Sequence, residues 1–289
     1  MPNVTELWKS HWGRLLALRR PEGGFPYFEN GPASVEPTIH AVLAGLSGTV
    51  DPTELVASLD WLATVVKSDG SVTGSPAAPV EGAWLTAPYA LVMTKAGRTA
   101  QAAAALAFLE RFASITVQNT NQSELDGSLV GWPWTDGAFS WVEPTAWGVL
   151  AFEAAGKRDA PRAVEGRSLL LDRQIPSGGW NYGSKKSFGK ELIPFPDTTA
   201  YALMALAGHV PAETLQNSIG FLERDAEAQE SPYSLALSLL ALDLCESGAI
   251  SHIRSRLAER FDLMTGERLN AVHLGLALQA LGNRRVIRE

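Results

Sequence analysis

Cysteine is almost missing from this sequence: Cys245 is the single copy in 289 residues. An internal disulfide is thereby excluded, as is a zinc module built on several thiolates, and a reducing, cytoplasmic compartment is expected. Basic charge is also short. The chain has 24 Lys and Arg against 31 Asp and Glu, a net charge of −7, which argues against a surface that tracks nucleic-acid phosphates. No stretch reaches 18 uncharged apolar residues, so no transmembrane span is expected. The opening segment MPNVTELWKSHWGRLLALRRPEGG has neither the uninterrupted apolar core nor the cleavage site of a secretion signal. Nucleotide and acyl-transfer signatures are missing too: there is no P-loop, no dinucleotide fingerprint and no G-x-S-x-G elbow. His11, His40, His209, His252 and His273 never fall at ligand spacing, and no two aspartates are adjacent or one residue apart. Neither a metal site nor a cofactor is expected.

What the chain does have is apolar mass and repetition. Hydrophobic residues make up 46% and charged residues 19%, the balance of a well-buried globular protein. Four segments align: GGFPYFENGPASVEPTIHAVLAGLSG from Gly23, DGSVTGSPAAPVEGAWLTAPYALVMTKAG from Asp69, DGSLVGWPWTDGAFSWVEPTAWGVLAFEAAG from Asp126, and SGGWNYGSKKSFGKELIPFPDTTAYALMALAG from Ser177. Each holds a glycine turn, a variable aromatic loop, a threonine (Thr38, Thr86, Thr145, Thr199) and a small-residue helix. Two shorter copies follow without the loop, SPYSLALSLLALDLCESG from Ser231 and RLNAVHLGLALQALG from Arg268. Between the copies run amphipathic segments such as PTELVASLDWLATVVKS, with apolar residues at three- and four-residue steps. The repeat helices themselves have almost no polar face and read as buried on all sides. Six pairs of one half-wet and one buried helix predict an all-α fold, an (α/α)6 toroid of two concentric layers forming a single domain over residues 1–289. Parallel inner helices place their N-termini, and the long loops, at one mouth.

Three acids stand at matching places before inner helices: Glu36 in VEPT, Glu143 in VEPT and Asp197 in PDTT. Capping of the helix end is one reading, since the macrodipole favours a carboxylate there. Acid–base catalysis is the other, and it requires burial to raise the carboxyl pKa against the pull of the helix end. Aromatics crowd the same loops, and Phe25, Tyr27, Trp84, Trp132, Trp134, Trp141, Trp147, Trp180, Tyr182 and Tyr201 are the candidate lining of a central cavity. Lys185 and Lys186 lie in the longest loop, where they either hold an anion above the helix N-termini or are simply solvated.

The turns GGF and GGW, with PTAWGVLAF and TTAYALMAL opening inner helices, resemble the repeats of the squalene-cyclase and protein-prenyltransferase superfamily. The resemblance implies the α/α toroid over nearly the whole chain. FPDTTA resembles the D-x-D-D-T-A motif of class II terpene cyclases, which puts Asp197 on the proton-donating aspartate, with Phe195 and Thr198 in place of its two partners. Against prenyltransferase β-subunits, Asp197 matches a zinc-ligating aspartate, but Thr199 stands where the thiolate would be and His273 is a loose match to the distant histidine.

Three functions are therefore weighed. The first is an enzyme that binds or transforms an apolar, isoprenoid-like small molecule by acid–base chemistry, with Asp197 handling the proton and Glu143 and Glu36 shaping the field. The second is a binding or interaction module, with a protein partner, on the same toroid. The third is a glycan-acting enzyme that uses two carboxylates.

Overall fold

The structure, a computed structural model, describes residues 3–75, 83–119, 124–263 and 270–288. Residues 76–82 of the second repeat and the start of the sixth copy, residues 268–269, lie outside that range. Helices α1 (Val4–Ala17), α2 (Val35–Ser47), α3 (Thr53–Ala63), α4 (Thr86–Lys95), α5 (Thr99–Arg111) and α6 (Val142–Ala154) come first. Then follow α7 (Pro161–Asp172), α8 (Pro196–Leu206), α9 (Ala212–Ala228), α10 (Pro232–Leu244), α11 (Ile250–Asp262) and α12 (Ala271–Leu281). The even-numbered helices each touch the next, and α12 packs back on α2, so they close a ring. The odd-numbered helices pack outside it. The fold is the all-α toroid of two layers.

The burial pattern follows from the composition of each set. In α8, nine consecutive residues from Thr198 to Leu206 are buried, because Ala, Leu, Met and Thr offer no charge that would need water. In α9 only five residues are buried, Leu215, Ser218, Ile219, Leu222 and Ala226, spaced along one helical stripe.

The repeated threonine has a specific task. Its hydroxyl accepts a hydrogen bond from the backbone N–H of the loop residue that enters the barrel wall. Phe25 donates to Thr38 (2.8 Å), Val72 to Thr86 (3.1 Å), Trp132 to Thr145 (3.1 Å) and Trp180 to Thr199 (3.0 Å). Each staple fixes one loop to the first turn of one inner helix. Replacing Thr145 by the isosteric Val leaves the Trp132 N–H buried without an acceptor, and a loss on the order of 1–3 kcal/mol is expected in urea unfolding. A loss no larger than a few tenths would show that the staple is idle. The glycine turn before each loop has an equally local cause. Gly23 and Gly178 have φ of +107° and +116°, and a Cβ at either would sit 2.2 Å or 2.5 Å from a backbone oxygen of the neighbouring outer helix.

All six inner N-termini meet at one end. The Val142 N–H donates to the Tyr182 carbonyl, Val35 to Gly74, and Ala271 to Tyr27, so each loop is tied to the start of the adjacent inner helix. The longest loop forms a short antiparallel hairpin, β1 (Lys186–Ser187) with β2 (Lys190–Glu191). At the opposite end the chain folds back beneath the ring. Asn283 and Arg284 donate their N–H groups to the Ser47 carbonyl, and the turn Val286–Arg288 reaches both α2 and α6. Among the described residues no helix is long and apolar enough to cross a membrane.

Candidate active site at the mouth of the barrel

Counting two residues back from each staple threonine gives Glu36, Trp84, Glu143 and Asp197, matching positions at the starts of four successive inner helices, with Trp84 in the 3-10 turn that leads into α4. Glu36, Glu143 and Asp197 are each the second residue of their helix. They are not caps: Ser34, Trp141 and Phe195 occupy the cap positions, and none makes a side-chain capping bond. Instead the acids face one another across the mouth. Tyr233, second in α10, and His273, third in α12, complete the rim.

The electrostatics of this rim are dominated by burial. The Glu143 carboxyl is pushed up to about 8 because it is buried, and the neighbouring Glu36 and Asp197 carboxylates push the same way. The Trp147 indole N–H donates to it and opposes the rise. Glu36 is raised by burial, against which the Tyr27 hydroxyl donates a hydrogen bond to its Oε2. Asp197 is also raised by burial and by the Asp225 carboxylate, but it accepts a hydrogen bond from Ser234 Oγ (3.0 Å) and faces His273, both of which favour its charged form. The three acids thus differ in their support. Asp197 and Glu36 each have a hydroxyl donor, whereas Glu143 is flanked by like charges in the driest position.

One turn below the acids lie His40, Trp147 and Tyr201, four residues after Glu36, Glu143 and Asp197 respectively. Trp147 contacts both neighbours, with ring centroids 6.2 Å from His40 and 5.5 Å from Tyr201. The Tyr201 hydroxyl donates to Tyr233, whose ring lies 5.1 Å from His273. Gln279 donates to His40 Nδ1 (3.1 Å), which leaves the ring proton on Nε2. Burial drives the His40 pKa down to about 3, so the ring is neutral. Trp147 and Tyr201 each retain 2% of their surface and His40 retains 3%, so little free volume adjoins them. The expected hollow through the barrel is therefore filled at mid-height. Above this aromatic layer the half-buried Glu36, Glu143 and Asp197 surround the mouth of the barrel, the basin.

The structure separates the candidate aromatics into two groups. Phe25, Trp132 and Trp180 are buried in the wall and do not line the basin. Trp132 donates its indole N–H to the Leu109 carbonyl (3.1 Å), while Trp180 donates to Leu170 (2.7 Å), both on outer helices. Arg162 stacks on Trp132 at 4.3 Å from the outer layer. Their bulk fills the gap between layers, which glycines on the inner and outer helices open. Trp147 and Tyr201 form the floor. Trp84, Trp134, Trp141, Tyr27 and Tyr182 belong to the rim and its loops: Trp134 meets Trp84 edge-on at 4.8 Å, and Tyr182 lies 4.8 Å from Phe195. Tyr182, Phe28 and Phe139 each expose about half their surface. With Trp141 they make an apolar collar around the mouth.

Lys185 is not poised for an anion, because its amine is held by Asp172 at 3.2 Å. Lys186 sits on β1 in the hairpin. Ser234, Tyr233, His273, His40 and Gln279 are additions to the site; the sequence named His40 and His273 only in weighing a metal. The first three belong to copies that lack the loop, so the signal was their register from the helix start, which the loop-based alignment does not use. Among the described residues no three His, Cys, Asp or Glu are grouped so as to hold a metal ion.

No family description matches this chain. No curated protein matches it either. Solved structures do. A protein from Actinoplanes is similar over 96% of this chain and 98% of its own, with a TM-score of 0.65 and 18% identity. The type II terpene cyclase MstE from Scytonema matches over 96% of both chains with a TM-score of 0.64 and 13% identity. A glycosidase variant matches over 96% of this chain and 95% of its own, with a TM-score of 0.61 and 12% identity. At these identities the likeness is one of architecture, and the architecture is the α/α toroid that terpene cyclases and glycosidases of this kind share.

Proposed function

We propose that the basin is an acid–base site in which Glu143, in its carboxylic acid form, protonates an apolar, isoprenoid-like substrate. The observation that carries this reading is the Glu143 carboxyl itself, kept protonated near neutral pH by burial beside Glu36 and Asp197. A general acid is most effective when its pKa lies close to the working pH. The proton-donor role that the sequence resemblance implies for Asp197 thus passes to Glu143, while Asp197 and Glu36 supply negative charge that stabilises a developing cation. The rings of Trp147, Tyr201 and Tyr233 offer π-faces to the same charge. The collar of Tyr27, Phe28, Phe139, Trp141 and Tyr182 supports an apolar substrate, since exposed aromatics grouped around a polar basin mark a binding surface.

The filled floor sets a limit on the chemistry. A long chain does not thread the barrel; its reactive end enters the basin while the remainder lies on the collar. Proton addition to an alkene carbon of that end leaves a tertiary cation. Loss of a neighbouring proton, to Glu36 or Asp197, or capture of water then closes the reaction.

A second reading is favoured by one observation, the pair of carboxylates beside the protonated one, which is the equipment of glycoside hydrolysis. One experiment separates the two. The protein is incubated in deuterium oxide with a panel of isoprenoid alcohols and with nitrophenyl glycosides. A new carbon–deuterium bond in an isoprenoid product supports alkene protonation, whereas nitrophenol release supports glycoside cleavage. Silence toward both panels, with binding retained, makes the protein a binding module and sinks the catalytic reading.

The collar has its own test. Trp141→Ala is expected to weaken binding of an isoprenoid alcohol about tenfold, the loss of one partly buried aromatic face. The melting temperature should move by about 1 °C at most, because Trp141 is exposed. Unchanged affinity would remove the collar from the binding surface.

A further inference from the structure

A second cavity lies at the other end of the molecule, away from the acids. It has a volume of about 390 Å³ and is walled by the C-terminal ends of α10 and α12, by α11 and by the returning chain. Leu239, Leu240, Leu244, Leu281, Val286 and Ile287 give it an apolar body. Gln279 also borders it. That side chain is 4% exposed, and although its amide nitrogen donates to His40, its Oε1 has no partner. That atom is itself covered, so the amide closes the cavity against the barrel interior and does not face a ligand.

The rim adds a charge preference. Among the described residues Arg254, Arg284 and Arg285 border the cavity against one acid, Asp243, and Arg285 is paired with that acid at 2.7 Å. The guanidiniums of Arg254 and Arg284 remain as the charge presented to a ligand. Helix C-termini carry partial negative charge, but the Ser47 carbonyl at the end of α2 is already covered by the N–H groups of Asn283 and Arg284. Full positive charges at the rim therefore outweigh what the helix ends contribute.

From these features we infer that this lower cavity is a binding site for a small amphipathic organic anion. Its apolar body lies against the leucines, and its acidic group meets Arg254 and Arg284. The site is independent of the acid basin and needs no turnover to be seen.

Anilinonaphthalene sulfonate has both parts, an apolar ring system and a sulfonate, and its fluorescence rises in an apolar site. Titration of the whole protein is expected to show one saturable site. Arg254→Ala should weaken it about tenfold, the loss of one charge-assisted contact. Leu240→Trp fills the cavity and should abolish the signal, with the far-ultraviolet circular dichroism unchanged. Naphthalene methanol, which lacks the anionic group, should compete more weakly than naphthalene sulfonate. Phe188→Ser, a fully exposed residue of the hairpin at the mouth, should change nothing. The proposal is overturned if binding is non-saturable, if it survives both Arg254→Ala and Leu240→Trp, or if Phe188→Ser removes it. Should Leu240→Trp fail to fold, Arg254→Ala and the competition still decide.

Discussion

Glu143→Gln is expected to abolish turnover and, at pH 8.5, to raise the melting temperature. The two effects have one cause. In the fold the Glu143 carboxyl is held up at about 8 from its ordinary 4.5, so the native protein keeps a proton that the unfolded chain has already released. Where the native state binds more protons than the unfolded state, stability falls as pH rises. For this group the fall begins near pH 4.5 and is complete above about pH 8. Such a shift carries at most ~5 kcal/mol, at ~1.4 kcal/mol for each tenfold change in proton affinity. Solvent screening in the half-open basin reduces this to on the order of 2–3 kcal/mol. Gln has the shape of the protonated acid, keeps an acceptor for the Trp147 indole, and cannot ionise. The variant should therefore match the parent at pH 5 and exceed it by roughly 5 °C at pH 8.5, at about 2 °C per kcal/mol for a chain of this size. Thermal melts of both proteins at the two pH values decide the matter. A variant that is less stable at pH 8.5 would mean that the Glu143 charge is satisfied in the fold, and the proton-donor role would fall with it.

A stability gain from removing an ionisable group is the mark of a residue kept for another reason. Glu36 and Asp197 should behave differently, because each has a hydroxyl donor that survives only while the carboxylate is there to accept it. The rim is therefore one buried acid beside two better-solvated ones, an arrangement that, on the proposed function, separates a proton donor from charge stabilisers.

The toroid was legible because its signals repeat. Thr38, Thr86, Thr145 and Thr199 mark the same staple four times, and the alternation of one-sided and all-round apolar helices marks the layers. The position of the acids at the helix starts was legible for the same reason: each stands two residues before its threonine. Two features were not legible. Whether a tryptophan belongs to the wall or the basin depends on which side of the loop it leaves, and GWPWTDGAFSW gives Trp132 and Trp134 identical composition and opposite fates. The floor was hidden because it is assembled across the ring. His40, Trp147 and Tyr201 are far apart in sequence, and only the register that places each four residues after an acid unites them. A histidine inside the otherwise apolar PTIHAVLAG was the local sign, and Gln279 in LGLALQALG was its partner.

Trp132→Ala is expected to produce the largest loss of stability among the aromatic substitutions, and to leave ligand binding intact. The ring is 1% exposed and packs against Gly148 and Gly166, where a Cβ would come within 2.4 Å and 2.9 Å of it. Inner and outer layers approach each other around this one side chain. Removing it opens a cavity between them, strips the Leu109 carbonyl of its donor, and leaves the Arg162 guanidinium without the face on which it stacks. Truncation of a buried aromatic costs about 3–5 kcal/mol, which corresponds to a fall of roughly 6–10 °C. Affinity for an isoprenoid alcohol, measured well below the new melting temperature, should stay within about twofold, because the ring is separated from the basin by its own inner helix. Trp141→Ala predicts the converse, affinity lost and stability kept. If Trp132→Ala instead weakens binding while the melting temperature hardly moves, the division of these tryptophans into wall and collar is wrong, and the basin extends between the layers.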